Sequence, residues 1–136
     1  PATVQGVFHP SYRSLQAEAA QMLGQQDLSI IKGGGGEFER HPSKETIVFG
    51  LRDGAHIQVT AAPILQGIRR LLEAGEQIDQ SGLWNGRAHD PFAVATITGT
   101  AALALWTLKA APTLDEADTM ARNLWALRHH TESLSA

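Results

Sequence analysis

Leu28-Ser29-Ile30-Ile31-Lys32-Gly33-Gly34-Gly35-Gly36-Glu37-Phe38-Glu39-Arg40-His41-Pro42 is the stretch on which the fold turns. Its first four residues are a short apolar run bounded by Asp27 and Gly33, which reads as a buried strand, most simply a parallel one. Four consecutive glycines follow. Glycine allows positive φ and close approach of a ligand to the backbone, so a strand running into such a loop can bring amides near an anion. From the residues alone a plain turn between strand and hairpin is the favoured reading, because a glycine-rich loop by itself is weak evidence. The run is neither a P-loop nor a dinucleotide fingerprint, because the closing Lys and Ser/Thr are missing and no helix pattern begins directly after it.

Outward from this stretch the elements alternate. Upstream, residues 10–23 read as a helix, with Pro10 suited to a first helical position and Leu15, Ala19, Met22 and Leu23 on one face; Gly24 is its stop. Downstream, Thr46–Leu51 and His56–Thr60 flank Asp53-Gly54, a strong hairpin signal. Ile64, Leu65, Ile68, Leu71 and Leu72 make an apolar helical stripe ending at Gly75, and residues 76–90 read as a polar loop. Residues 91–110 form an almost wholly apolar helix expected to be buried on most sides. The last helix carries a capping box, Thr113 with Glu116, and the stripe Ala117, Met120, Ala121, Leu124, Leu127. The order is helix, strand, loop, hairpin and three helices, an α/β fold with a short sheet and hairpin flanked by helices. That sheet is small for so many helices, so further strands are expected upstream in a longer protein.

Composition sets bounds. The 136 residues suffice for one domain with a real core; 43% are hydrophobic and 18% charged, which is globular rather than disordered. A net charge of −3 argues against a basic surface over the whole chain but leaves room for a local basic patch. There is no cysteine, which removes disulfides and thiolate metal sites and fits a reducing, cytoplasmic setting. The longest apolar stretch, Phe92–Leu108, is interrupted by Thr96, Thr98, Gly99 and Thr100 and is too short for a membrane span, so no membrane partner is expected.

Leu23-Gly24, the strand Leu28–Ile31, the glycine-rich turn with its acidic residues and Pro42, and Leu51-Arg52-Asp53-Gly54 together resemble the second half of the α/β domain of the anthranilate phosphoribosyltransferases, the family-3 glycosyltransferases. With Gly6-Val7-Phe8-His9-Pro10 upstream, the loop is closer still to the YbiB-like branch, described as nucleic-acid-binding. The resemblance covers nearly the whole chain. It implies the C-terminal portion of a phosphoribosyltransferase-type catalytic domain, a single α/β piece over residues 1–136 whose helical domain and phosphoribosyl-pyrophosphate loop lie upstream. It also implies a homodimer of the longer protein, formed mainly through that helical domain, and no turnover by these residues alone.

In the resembling enzymes this loop carries an Asp-Glu pair that ligates magnesium. Alignment on Gly35-Gly36 and Pro42 puts Phe38 at the Asp position and Glu39 at the Glu position, with Glu37 one residue away. Loss of a hard carboxylate weakens a magnesium site. Two functions follow as expectations. One is a nucleic-acid-binding protein on a catalytically altered scaffold. The other is a magnesium-dependent phosphoribosyl transferase of unknown acceptor, with Glu39 and Glu37 holding the metal on phosphoribosyl pyrophosphate. Lys32, Gly33, Gly34, Gly35 and Gly36 form the phosphate loop in both. Arg40, His41 and Lys44, the helical pair Arg69 and Arg70, and Trp84 with Arg87 are the candidates for nucleic-acid contact, each of which can equally be a solvated surface residue. Trp106 and Trp125 are expected to be packed. His129 and His130 are consecutive and cannot face one way on a helix, so they make no metal pair.

Overall fold

The computed structural model describes residues 1–33, 38–67 and 77–129. Four strands and four helices follow one another as β1 (Ala2–Gly6), α1 (Tyr12–Met22), β2 (Asp27–Ile31), β3 (Thr46–Arg52), β4 (Ala55–Ala61), α2 (Gln80–Trp84), α3 (Pro91–Thr107) and α4 (Leu114–Leu127). The sheet order is β1-β2-β3-β4. β1 and β2 are parallel and joined through α1, whereas β2–β3 and β3–β4 are antiparallel. The fold is therefore α/β with a mixed open sheet.

Two expectations are corrected here. β2 is parallel on one side only. Its parallel neighbour is β1, which lies within this chain and was not recognised from its five residues. The stretch 76–90 is not all loop, since α2 forms in it, started by the Asp79 carboxylate accepting from Gly82 N at 2.7 Å. Of the stripe from Ile64 to Leu72, residues 64–67 are bends, and residues 68–76 lie outside the described ones.

Side-chain alternation along β2 builds a core on each face of the sheet. Leu28 and Ile30 pack with Leu51, Val7, Ala17 and Ala20 under α1. Ile31, on the other face, packs with Val48, Ala102, Leu103, Trp106, Ala111, Ala117 and Ala121 under α3 and α4. Leu28, Ile30 and Ile31 are fully buried, each worth about 1.5–3 kcal/mol relative to exposure. The buried polar residue of β2, Ser29, meets Thr107 of α3 at 2.6 Å. Thr107 gives its own proton to Leu103 O, so Ser29 is the donor and neither hydroxyl is left unmade.

The turns are as the residues dictate. Asp53 and Gly54 both take positive φ, 52° and 75°, between the paired Arg52 and Ala55, the two-residue hairpin turn whose twist suits the strands. α3 is started by Asp90 accepting from Ala93 N, with Pro91 at its first turn. Lys109, at φ 61°, turns the chain out of α3 and places its ammonium on Asp27 at 3.0 Å and on Asp53. Arg52 stacks on Trp106 and donates to Trp106 O at 2.9 Å, satisfying a carbonyl at the same helix end. α4 has Thr113 accepting from Glu116 N as its sequence predicts, but Glu116 accepts from the Thr113 hydroxyl rather than from its amide. Arg128 binds the carbonyls of Leu83 and Trp84 and stacks on Trp125, which holds α2 against the end of α4. No helix among the described residues is long and apolar enough to cross a membrane.

β2 and β3 approach closely at Gly50, where an added Cβ would lie 1.8 Å from Leu28 O. Gly50→Ala must push the two strands apart, and urea unfolding should show a loss of at least about 1–3 kcal/mol. A loss under about 0.5 kcal/mol would contradict the close pairing.

Candidate functional site

The parallel strands β1 and β2 end side by side, Gly6 opposite Ile31, and Val7 N extends the ladder to Ile31 O at 2.9 Å. Both of the segments singled out by sequence leave the sheet here. The crevice outside the carboxyl ends of parallel strands is where open α/β sheets bind ligands. Lys32 is exposed at the mouth of the glycine loop, and Gly33 is buried beneath it. Gly34, Gly35, Gly36 and Glu37 lie outside the described residues.

Where the chain is described again, Phe38 lies across the end of β1. A Cβ on Gly6 would come within 2.9 Å of the Phe38 Cα and Cδ2. Gly6 thus has to lack a side chain for Phe38 to lie over the strand end. Phe38 is 43% exposed, and Glu39 is exposed. Beside them, Phe8, His9 and Tyr12 form a chain of edge-on rings, with centroids 4.8 Å and 6.0 Å apart.

Arg40 departs most from expectation. Sequence placed it on a solvated loop, as a surface cation or a nucleic-acid contact; the structure buries it, 1% exposed. Its Nη1 pairs with Asp118 of α4 at 3.0 Å, its Nη2 donates to Ala62 O at 2.8 Å, and its backbone N donates to Thr100 Oγ1 of α3 at 3.1 Å. Gly99 of α3 faces the same region, where an added Cβ would lie 2.6 Å from Ile64 Cδ1 and in ordinary contact with Arg40 Cδ. Nε has no hydrogen-bond partner among the described residues. A guanidinium so held is turned away from solvent and cannot be a surface contact. It fastens the exit of the loop to both helices and to the end of β4. The pair borders a cavity of about 290 Å³ that Pro63, Leu114 and Arg122 help to line.

His41 also faces inward. Its Nδ1 accepts from Ser43 N at 3.2 Å and its ring stands edge-on to Phe92. Burial, with a smaller effect from the charge of Lys44, pushes its pKa below the ordinary value. The imidazole is therefore neutral near pH 7 and offers no cation. Lys44 is exposed. Arg69 and Arg70 lie outside the described residues. Trp84 is 49% exposed and edge-on to Trp125, and Arg87 folds back on Asn85 Oδ1 at 3.0 Å. These two belong to the unit that α2 forms with the end of α4, not to the strand-end crevice.

The magnesium site implied by the resemblance has one exposed carboxylate among the described residues of the loop, Glu39, and an aromatic ring where the second ligand would be. No group of three or more His, Asp or Glu side chains among the described residues is placed to hold a metal ion. Glu37, the other carboxylate that the resemblance points to, lies outside the described residues.

Asp118 was not singled out by sequence. Nothing marks it except its place at an inward position of α4, one residue after the buried Ala117. No family model matches this chain, and no curated protein matches it in sequence.

Asp118→Ala would strand the buried Arg40 charge, and chemical denaturation should show a loss of about 3–5 kcal/mol. Replacing the pair together, Arg40→Met with Asp118→Leu, should recover most of it, because two apolar groups leave no orphaned charge. Equal losses in the single and double variants would contradict the ion-pair account. For His41 the sign is that of a depressed folded pKa: the unfolded chain binds the proton more tightly. Its contribution is complete above the ordinary imidazole value of about 6.5 and is lost as pH falls toward the lower folded value. Urea midpoints should drop between pH 7.5 and 5.5, and less so in His41→Gln; an unchanged slope in that variant would contradict the assignment.

Proposed function

We propose that this chain binds nucleic acid through the strand-end edge formed by Lys32, the glycine loop and the segment Gly6–Tyr12, on a scaffold related to the anthranilate phosphoribosyltransferases whose metal site is altered. One observation carries this reading. The loop position at which the resemblance expects a magnesium-binding Asp holds Phe38, packed on Gly6 with much of its ring in solvent.

The edge has residues suited to phosphate binding, and Phe38 cannot serve as a carboxylate ligand to a metal. Gly33 and the three glycines after it supply backbone amides without side chains in the way. Lys32 supplies a mobile ammonium at the entry. The residues on either side of the loop are fixed, Ile31 in the core and Arg40 by its ion pair. The overall charge of −3 sets a limit. Binding should be local and modest, not the wrapping of a strongly basic protein.

Anisotropy titrations with fluorescein-labelled single- and double-stranded oligonucleotides test the proposal. Binding is expected at low salt, with log affinity falling as salt rises by about 0.7–0.9 per phosphate contact. Lys32→Ala should weaken binding across sequences and flatten that slope by roughly one contact. No affinity for either form at low salt would overturn the proposal.

A further inference from the structure

The turn after α2 carries chemistry that the strand-end edge leaves unused. Asn85 is the C-cap of α2, and Asn85, Gly86 and Arg87 are all exposed. Asn85 Oδ1 accepts from Arg87 N at 3.2 Å and from Arg87 Nε at 3.0 Å. Two donors on one amide oxygen draw charge from its carbonyl carbon and stabilise the charge that an attack there puts on the oxygen. Gly86 N donates to Leu83 O at 3.4 Å, beyond the usual range for such a bond, so it is weakly held. Gly86 sits at φ 78° and has no side chain to hinder rotation at this peptide link. On the side where a Cβ would point stands His129, its Nε2 3.6 Å from that position. An imidazole is thus within one water of the link, close enough to move its proton.

We propose that Asn85 is a self-modification site, which loses its side-chain amide to attack by Gly86 N while Arg87 holds the oxygen and His129 handles the proton. The nitrogen of Gly86 bonds to Asn85 Cγ and the Cγ–Nδ2 bond breaks. Ammonia leaves with the proton that Gly86 N gives up, passed on through His129. Water then opens the cyclic imide at one of its two carbonyls. The product is aspartate at position 85, or isoaspartate, in which the main chain runs through the former side chain. The attack needs Asn85, at ψ 6°, to rotate until Gly86 N meets its side chain, and the weak hold on that nitrogen permits it. Asn123 is the other asparagine of the chain and lies within α4 before Leu124. There the helix fixes ψ and a side chain crowds the next amide, so Asn123 serves as an internal control. The modification also reaches the packing. Arg128 grips α2 through the carbonyls of Leu83 and Trp84, and isoaspartate lengthens the main chain directly after Trp84.

The test incubates the full chain in mildly alkaline buffer made with heavy-oxygen water and reads its peptides by mass spectrometry. Heavy-oxygen-labelled acid is expected at position 85 while Asn123 stays an amide. His129→Ala, with its fold checked by circular dichroism, should slow the loss roughly ten- to a hundredfold, at or below the low end for a positioned acid–base group. Free imidazole should restore part of that rate, which a merely structural histidine would not allow. In the modified chain the amides of α2 should exchange with solvent faster, as the grip of Arg128 loosens. Equal conversion at Asn85 and Asn123 would overturn the proposal, and so would a rate at Asn85 that His129→Ala leaves unchanged.

Discussion

The buried pair of Arg40 and Asp118 is the interaction on which the arrangement depends. It joins the exit of the glycine loop to the last helix, across 78 residues of chain. The same arginine reaches Ala62 beyond the hairpin and Thr100 in α3. A buried ion pair is weak evidence for stability in itself, because desolvation offsets much of the attraction. Its value here is positional. With Arg40 held, the loop must return to the sheet at one place, and Phe38 is set two residues before that anchor, on the end of β1. Gly6 is the matching concession, a seat for the phenylalanine ring that a Cβ would fill.

The proposed edge belongs to a chain with a net charge of −3. Acidic groups near the core are committed elsewhere. Asp118 answers Arg40. Asp27 and Asp53 answer Lys109 at the opposite ends of the strands. Burial alone would raise the Asp27 pKa, but the hydrogen bond from Lys109, the Asp53 amide and the nearby positive charges outweigh it and hold the carboxyl below its usual value. Its stabilising effect is thus full above the ordinary carboxylate range and fades as acid titrates it. Lys32, by contrast, stays exposed at the loop mouth.

Local chemistry was legible in the sequence where it was sufficient. Asp53-Gly54 determines its turn through the positive φ that both residues adopt, and Thr113-Glu116 starts its helix through groups within three residues. β1 was not legible: Ala2–Gly6 is short, half-buried at the sheet edge, and has no turn signal before it. α2 lay inside a polar stretch and owes its packing to Arg128, more than forty residues away. The burial of Arg40 was hidden for the same reason. A guanidinium after a glycine loop reads as solvated unless its distant partner is known, and Asp118 looks like any helix-surface acid. The candidate edge was half visible, since the loop drew notice by its glycines, whereas Phe8 and Tyr12 acquired meaning only when β1 brought them beside it.

The most direct measurement is to map a short unlabelled oligothymidine onto the isotopically labelled chain by amide chemical shifts. The account predicts that the perturbed amides fall in Gly6–Tyr12 and Lys32–Glu39, while the groove along α4 lined by Ala110, Met120, Leu124 and Leu127 stays unperturbed. Shifts confined to α4, or to Trp84 and Arg87, with the strand-end edge silent, would contradict it.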